Sequence, residues 1–409
     1  MIAVFIFIIL LIYSLYNKER GLIYSAVLSP ALLSISIYEI GTVFFCLSIV
    51  FLFLFKDQIK SINLGTMPFG LVIVITIFMY LISGFVAQEK HYYSLFRSLI
   101  EFSVFPLCCW IVFTKNNRFG DFVNILINAS FLIIGYTFIE TILKDNPYVH
   151  LCVAEDCFGG KFIEGVRFGF RRCQAFFSYH ETLGAYCMTN IGFYVCLLYI
   201  ENLDKFLRTK IIWVIGLLTV CVFLTGSRSS ILATVVALLP IFFAKKKYLL
   251  LVPVIFCVVY FAMPEYFSEI LSSMTNTDSV DGSNSEMRNT QLEVSFYYLM
   301  RANNIFFGNG FSFADSNVVG IDSAIAGAES IWFRIIMDQG IMGIICTAYF
   351  FIYSIYRSAK VHWLFLFFPL AYLVARTVAV VPTMTLSYII PYIMFLVLLE
   401  KYNVKLKTK

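Results

Sequence analysis

The sequence AESIWFRIIMDQGIMG at 328–343 ends the longest polar interruption in a very apolar chain. It also begins an apolar run that continues to about 355. The interruption reaches back to about 265 and holds several acids, two arginines and a Gly-Asn-Gly turn at 308–310. Nearly everything on either side has the composition of segments that lie in lipid. We therefore expect a ligand or substrate to be held by the polar stretch.

Composition sets the class of protein. The 409 residues are 60% hydrophobic and 18% aromatic, and only 13% are charged. A soluble globular chain does not need so much apolar surface. Apolar runs of about 16 to 24 residues recur along the whole length, as expected of helices that cross a bilayer. The sequence predicts an all-α polytopic integral membrane protein with about 11–14 transmembrane helices.

The apolar runs form a single membrane domain over 1–409, with a first long loop at 144–180 and a second at 265–330. The run at 1–16 lacks the basic start and small-residue cleavage site of a signal peptide, so we interpret it as a retained helix. The next two runs are short enough to be tilted, re-entrant or one long bent helix. The predicted spans are 1–16, 22–37, 41–55, 68–87, 93–113, 121–143, 181–200, 211–226, 229–244, 248–264, 331–355, 362–380 and 384–400.

The basic residues predict the orientation of the chain. About 18 of the 30 Lys and Arg residues fall in one alternating set of short connections and in the carboxyl-terminal tail. Positively charged short loops are typical of the cytoplasmic side. Both long loops and a Ser-Arg-Ser turn at 227–229 are then extracytoplasmic, and the amino terminus lies outside. No basic stripe stands apart from the membrane flanks, which argues against a nucleic-acid partner.

The eleven cysteines give no metal or redox motif. Most lie in apolar runs, where Cys behaves as a small hydrophobe. Cys152 and Cys157 share the first long loop, and an extracytoplasmic loop permits a disulfide between them. The sequence alone leaves that pairing open.

Three arginines stand close together at the end of the first long loop. Arg167, Arg171 and Arg172 precede a predicted span, and His180 and Glu181 follow at the start of its helix. Such a cluster is either a solvated or headgroup-binding patch or a site for phosphate, whose oxygens match the guanidinium fork. His180 and Glu181 are candidates for capping the helix or for pairing with an arginine.

Two further arginine signals lie later in the chain. Arg228 stands in the turn TGSRSS between two apolar runs, where it either snorkels to the surface or points into a central cavity. The segment 286–302 has Leu292, Phe296 and Leu299 at helical spacing. It predicts a helix on the membrane surface, bracketed by Arg288 and Arg301, which could contact a lipid-linked anion or remain solvated.

Some charged residues fall inside predicted spans. Charges in lipid are costly and are usually paired, so i,i+4 neighbours predict structural ion pairs. Glu140 and the lone Arg376 are candidates for lining the same cavity as the loop arginines. The two predicted ion pairs are Arg334 with Asp338 and Arg97 with Glu101.

These groups suggest a chemistry. No nucleotide motif, metal cluster or nucleophile elbow is evident. A site outside the cytoplasm cannot draw on ATP, so a substrate that carries its own activation would suit it. A sugar diphosphate on a lipid offers an anion to bind and a good leaving group. Arginines would stabilise the charge that develops on the diphosphate, and a carboxylate or His would accept the proton of an acceptor hydroxyl.

Over about 165–355 the chain resembles the superfamily of Wzy-type O-antigen polymerases and O-antigen ligases. These are bacterial inner-membrane glycosyltransferases that use undecaprenyl-diphosphate-linked glycans at the periplasmic face. The motifs carrying the resemblance are RRCQAFFSYHETLGAY (171–186), LTGSRSSILATVVALLP (224–240), MRNTQLEVSFYYLMRANNIFFGNGFS (287–312) and ESIWFRIIMDQGIMGII (329–345).

The resemblance implies roles for individual residues. It assigns substrate binding to the first-loop arginines and to Arg228 and Arg288, without a metal or other cofactor. Ligases carry a His where this chain has Glu329, which favours a polymerase with Glu329 as general base. The other candidates for the base are Glu181, Asp315, Asp322 and His180. The further candidates for substrate binding are His180, Glu181, Arg301 and Arg334.

Three functions therefore compete. A polymerase would join lipid-linked repeat units, and a flippase and a chain-length regulator are its candidate partners. A ligase would transfer finished polysaccharide to lipid A–core. A transporter for lipid-linked sugar would be expected to show internal repeats and broken helices near the midplane.

Overall fold

The computed structural model describes residues 2–37, 40–87, 91–155, 165–167, 170–200, 203–244, 285–318, 330–378 and 386–407, with a few positions between 257 and 268. Nearly all of them are helical, so the predicted class, an all-α polytopic membrane protein, is confirmed. The strands within these ranges form two short antiparallel hairpins. They are β1 (Ser36–Ile37) with β2 (Gly41–Thr42), and β3 (Val166–Arg167) with β4 (Phe170–Arg171).

The described helices follow the apolar runs of the sequence closely. In chain order they are α1 (Ile2–Tyr16), α2 (Lys18–Val27), α3 (Ser29–Ser34), α4 (Val43–Leu54), α5 (Lys56–Lys60), α6 (Gly70–Val86), α7 (Tyr92–Leu99), α8 (Phe105–Trp110), α9 (Phe119–Leu143), α10 (Pro147–Ala154), α11 (His180–Leu197), α12 (Lys205–Leu224), α13 (Arg228–Ala244), α14 (Ser285–Met300), α15 (Phe313–Asn317), α16 (Ile331–Val361), α17 (Phe367–Val378) and α18 (Leu386–Lys407). Short 3₁₀ turns cover Leu64–Thr66 and Trp363–Leu366, and π turns cover Ile100–Val104 and Ile111–Lys115.

Four described helical segments are long and apolar enough to cross a membrane. Five further apolar helices are shorter, and several of them coincide with predicted spans. The predicted span at 248–264 lies almost wholly outside the described residues, so the number of 11–14 spans stays a prediction. The four long segments are Tyr92–Lys115, Phe119–Leu143, Lys205–Leu224 and Ile331–Val361.

The predicted span at 22–37 is wrong as a single helix. The chain forms α2, restarts as α3 with Pro30 in its first turn, and ends in the β1–β2 hairpin. Proline lacks the N–H that a continuing helix needs, so it favours a new helix start. The short, broken form agrees with the alternative of a re-entrant segment.

Helix α11 is the centre of the bundle. From Leu183 to Leu197 all its residues are buried, because α12, α13, α17 and α18 surround it. At Gly192 a Cβ atom would lie 2.3 Å from the ring of Phe368 on α17. A side chain at this position would therefore separate the two helices, so the glycine sets their close approach.

The predicted ion pair between Arg97 and Glu101 is confirmed. Arg97 Nε lies 3.2 Å from Glu101 Oε1, and Thr42 Oγ1 donates to the same oxygen at 3.2 Å. The carboxylate is almost completely buried. The pair thus fixes the β1–β2 hairpin to the segment Tyr92–Lys115.

The segment predicted to be a surface helix forms α14, but its buried and exposed faces differ from the expectation. Leu299 is buried, whereas Leu292 and Phe296 are exposed. The face that packs on the protein also carries Gln291 and Ser295, both fully buried. The exposed apolar side chains suit a membrane surface, which stays a prediction.

Candidate functional site

A narrow groove runs along the membrane helices beneath the second long loop. It has a cavity volume of about 120 Å³ and is lined by α6, the segment Tyr92–Lys115, α16, α17 and α18. Most lining side chains are Phe, Ile, Val, Leu and Tyr. On α16 the lining residues lie on both sides of the helix break, between Ile331 and Phe351.

Two arginines line the groove at the end nearest the second long loop. Arg334 lies one turn into α16, and Arg376 lies near the end of α17. The Trp332 indole donates to Thr377 Oγ1 at 3.1 Å, which places these two helix ends at the same level. Arg376 is only 2% exposed. Asp338 lines the groove as well, so its charged lining residues are two arginines and one acid.

Arg376 packs against an aromatic ring of its own helix. Its guanidinium carbon lies 5.4 Å from the centroid of Tyr372, and Nη2 donates to the Tyr372 hydroxyl at 3.4 Å. A cation held over an aromatic face is stabilised by the ring.

The predicted ion pair between Arg334 and Asp338 is wrong, because Arg334 pairs with Asp315. Arg334 Nη1 lies 2.8 Å from Asp315 Oδ1 and 3.1 Å from Oδ2. Asp338 instead accepts the backbone N–H of Ala314 at 2.7 Å. Each acid thus joins α15 to α16, one in each direction. The i,i+4 rule failed here because tertiary partners competed with the neighbour on the same helix.

Helix α16 is broken at Gly340, where φ is 62° and ψ is −152°. The Gly-Asn-Gly turn fits into this break. The N–H groups of Asn309 and Gly310 donate to Met337 O and Asp338 O at 2.9 and 3.0 Å. Part of the second long loop therefore supplies hydrogen bonds that an unbroken membrane helix would make internally.

The other side of the break is capped by the same loop. The N–H groups of Ile341 and Met342 donate to Ile305 O and Phe306 O at 3.2 and 3.0 Å. At Gly340 a Cβ atom would lie 2.4 Å from Ile305 O. The positive φ and this close approach both require glycine.

Arg172 joins the first long loop to the turn that carries Arg228. Its Nε donates to Thr225 O at 2.9 Å, and its Nη2 donates to Gly226 O at 3.1 Å. The backbone N–H of Cys173 donates to Leu224 O at 3.0 Å. Arg172 thus caps the carboxyl end of α12, where a cation is favoured. Its structural role is visible, and direct contact with substrate stays a prediction.

Glu140 anchors the same loop from α9. Its fully buried carboxylate accepts the backbone N–H of Ala175 at 2.8 Å and that of Gln174 at 3.1 and 3.2 Å. Arg171 lies between two acids. Its Nε is 4.0 Å from Glu140 Oε1, and its Nη1 is 3.0 Å from Asp145 Oδ1. Among the described residues, neither Glu140 nor any of the loop arginines lines the groove, so the expected shared cavity stays a prediction. The position of Glu140 is explained by the loop backbone it holds.

Arg228 is the first residue of α13 and is half-buried. Ser227 precedes it, and its hydroxyl accepts from Ser230 Oγ at 3.0 Å and from the Ser230 N–H at 3.5 Å. The positive end of the helix dipole and the guanidinium therefore coincide at this turn. The role of Arg228 in substrate binding stays a prediction.

Tyr179, at the end of the first long loop, lies within electrostatic reach of Arg334 at the start of α16. Burial raises the pKa of Tyr179, the nearby Glu181 raises it further, and the nearby Arg334 opposes that shift. His180 Nε2 lies 3.7 Å from Glu181 Oε1, so these two side chains pair with each other. The start of α11 and the start of α16 therefore lie close together.

The remaining predicted site residues are less fully described. Arg301 is exposed, and its guanidinium carbon lies 4.1 Å from the ring centroid of Tyr297. Arg167 belongs to β3 and Arg288 to α14, but their side chains lie outside the described residues. The residues wholly outside the described ranges are the predicted base Glu329, the alternative base Asp322, and Cys157 of the predicted disulfide.

Sequence reasoning missed the partners that organise the site. Asp315 was considered only as a base, and the break at Gly340 was not foreseen. The pattern Gly340-x-x-Gly343 inside an apolar run was the available signal. In the described part of the chain, no group of three or more His, Cys, Asp or Glu could hold a metal ion.

Comparison with known proteins supports the resemblance seen in the sequence. Residues 213–348, about a third of the chain, match the Wzy_C family, described as O-antigen ligase. The match covers α13 and the second long loop and ends within α16 beyond its break. A comparison with curated proteins gives no match. Over these residues the chain is thus similar to the Wzy_C family, which agrees with the resemblance to O-antigen polymerases and ligases.

Proposed function

We propose that the protein is an O-antigen polymerase. It would join undecaprenyl-diphosphate-linked oligosaccharide repeat units into a lipid-linked polysaccharide, at the periplasmic face of the bacterial inner membrane. The Wzy_C match supports a glycosyl-transfer enzyme of O-antigen processing. The observation that supports a lipid-linked substrate is the groove, whose mostly apolar lining also includes Arg334 and Arg376.

The reaction needs no external energy source. A hydroxyl of the incoming repeat unit attacks the anomeric carbon of the growing glycan, and the bond from that carbon to the diphosphate breaks. Undecaprenyl diphosphate leaves, and its charge is stabilised by arginines, for which Arg228 and Arg288 are the candidates. The hydroxyl proton passes to a general base, for which Glu329 is the candidate. A metal ion has no step in this scheme.

Related ligase activity is the first alternative. The Wzy_C description names ligases, and a ligase would use the same donor. The sequence feature that favours a polymerase is Glu329, at the position where ligases carry a His. Deletion of the gene separates the two functions. Loss of a polymerase leaves a single repeat unit on lipid A–core, whereas loss of a ligase leaves none.

Transport of lipid-linked sugar is favoured by one observation, the break of α16. Gly340 lies about ten residues into the helix, roughly 15 Å from its start and hence near the bilayer middle. Broken helices at that depth are frequent in transporters. In sealed vesicles, substrate movement without glycan extension would establish transport in place of polymerisation.

Reconstituted transfer tests the polymerase directly. Purified protein in liposomes with a lipid-diphosphate-linked repeat unit is expected to produce a glycan ladder. Arg228→Ala and Arg288→Ala are each expected to abolish or shorten the ladder. Arg208→Ala is a matched control, since this exposed arginine lies at the opposite end of α12 from the Arg228 turn.

Two results would contradict the proposal in different ways. Absence of a ladder with the correct repeat unit would reject polymerase activity. A full ladder from both arginine variants would reject the roles of Arg228 and Arg288 while leaving the activity in place.

A further inference from the structure

The ion pair at the end of the groove is asymmetric. Both oxygens of Asp315 lie within 3.1 Å of one nitrogen of Arg334, Nη1. Arg334 Nε is buried and has no hydrogen-bond partner within the described residues. The Arg334 side chain is 12% exposed and lines the groove, whereas the Asp315 side chain is 38% exposed. Asp315 thus holds one nitrogen of the guanidinium, while Nε makes no hydrogen bond within the described residues.

Backbone contacts fix the position of Asp315. It lies in α15, whose first turn is bound by Asp338 through the N–H of Ala314. The chain just before α15 is tied to α6, since the N–H of Phe311 donates to Ser83 O at 2.9 Å. Asp315 therefore approaches Arg334 from a segment anchored on two membrane helices.

A second tie comes from Asn309 in the turn that fills the break of α16. Its Nδ2 donates to Tyr298 O at 3.1 Å and to Met337 O at 3.2 Å. The end of α14 and the first half of α16 are thereby joined. Loop residues hold α16 both before and after its break. A substitution at Asp315 is therefore expected to move the Arg334 guanidinium and to leave the helix in place.

We propose that Asp315 is a positioning residue that turns Arg334 toward the groove to bind an anionic oxygen of a polyprenyl diphosphate. The ligand class rests on the proposed function. Arg334 makes the contact, and Asp315 acts through it by occupying Nη1.

The proposal predicts a pattern across three variants. Asp315→Asn leaves the Arg334 charge in place but removes the partner that orients it. The affinity for undecaprenyl diphosphate is expected to fall roughly ten- to one-hundred-fold, the range of one charge-assisted hydrogen bond. Arg334→Gln is expected to lose at least as much. Asp315→Glu keeps the carboxylate and is expected to recover part of the affinity.

The matched control is Asp121→Asn. Asp121 Oδ2 lies 3.2 Å from Arg118 Nη1 in another acid–arginine pair, at the far end of α9 from the first long loop. This variant removes an ion pair without touching the groove. Its affinity for undecaprenyl diphosphate is expected to equal that of the wild type.

The experiment measures binding to the purified full-length protein in nanodiscs. The probes are undecaprenyl diphosphate and undecaprenol, which differ only in the anionic head. Wild-type protein is expected to prefer the diphosphate, and both Asp315→Asn and Arg334→Gln are expected to reduce that preference with undecaprenol binding unchanged. A residue that only supported the fold would weaken the binding of both lipids and lower the melting temperature.

Each outcome is decisive for one of the two proposals. The positioning role is overturned if wild-type protein binds undecaprenyl diphosphate and undecaprenol with equal affinity. It is also overturned if Asp315→Asn prefers the diphosphate as strongly as the wild type does. A preference that depends on Asp315 and Arg334 supports that role even if no glycan ladder forms, in which case the polymerase proposal fails alone.

Discussion

Replacing Glu140 by Gln is expected to loosen the first long loop from α9. The substitution keeps the shape of the side chain but removes the charge that two backbone N–H groups and Arg171 face. A hydrogen bond to a charged group contributes about 1.5–3 kcal/mol, and Gln preserves roughly half of this interaction. The expected loss of unfolding free energy is therefore about 2–4 kcal/mol.

Thermal unfolding provides the first measurement. At about 2.1 cal/mol/K per residue, the unfolding entropy of a chain of this length is roughly 0.9 kcal/mol/K. The expected fall in Tm is then about 2–5 °C. Asp121→Asn is the matched control on the same helix, because it breaks a partly exposed pair that contributes less than about 1 kcal/mol.

Labelling of Cys173 provides the second measurement. The thiol is buried, and burial, reinforced by the charge of Glu140, raises its pKa to about 12. Almost no thiolate is present near about pH 8, so wild-type Cys173 is expected to resist maleimide. In Glu140→Gln the loosened loop exposes the thiol, and peptide mass spectrometry is expected to show labelling. An unchanged Tm together with an unlabelled Cys173 would refute the anchoring role of Glu140.

Two further predictions concern the loops. Gly340→Ala is expected to lower the free energy of unfolding by at least about 1–3 kcal/mol, because φ is positive and a Cβ would lie 2.4 Å from a carbonyl oxygen. At Gly135 a Cβ meets nothing within 4 Å, so Gly135→Ala is expected to raise the free energy of unfolding by about 0.5–1 kcal/mol. A melting temperature that shifts in the same direction in both glycine variants would contradict this account. Arg172→Ala removes two hydrogen bonds to carbonyl groups, so the free energy of unfolding is expected to fall by about 1.5–3 kcal/mol. A wild-type melting temperature would show that the contact is dispensable.

Hydrophobic runs were sufficient to predict most of the membrane helices. The predicted span at 229–244 is α13 within a residue, and 121–143 is α9 within two. These boundaries follow from local composition, since a charge or polar turn ends each run. The span at 22–37 failed because Pro30 and a hairpin divide a stretch whose apolar content is continuous.

Contacts between distant parts of the chain could not be predicted in the same way. The i,i+4 rule gave the right partner for Arg97 and the wrong one for Arg334, although the spacing is identical. In the second case a carboxylate from α15 competes, and nothing in the local sequence ranks Asp315 above Asp338. The sequence drew attention to the arginines near both long loops, but it did not predict the partners that orient Arg172 and Arg334.

The broken helix has a consequence for anyone who would exchange loops between relatives. Four backbone hydrogen bonds join residues 305–310 to the two halves of α16. A chimera cut at the sequence boundary of the second long loop would place a foreign segment in the gap of a native helix. The interchangeable module therefore ends before Ile305, and the stretch from there to Phe311 is inherited with α16 as one unit.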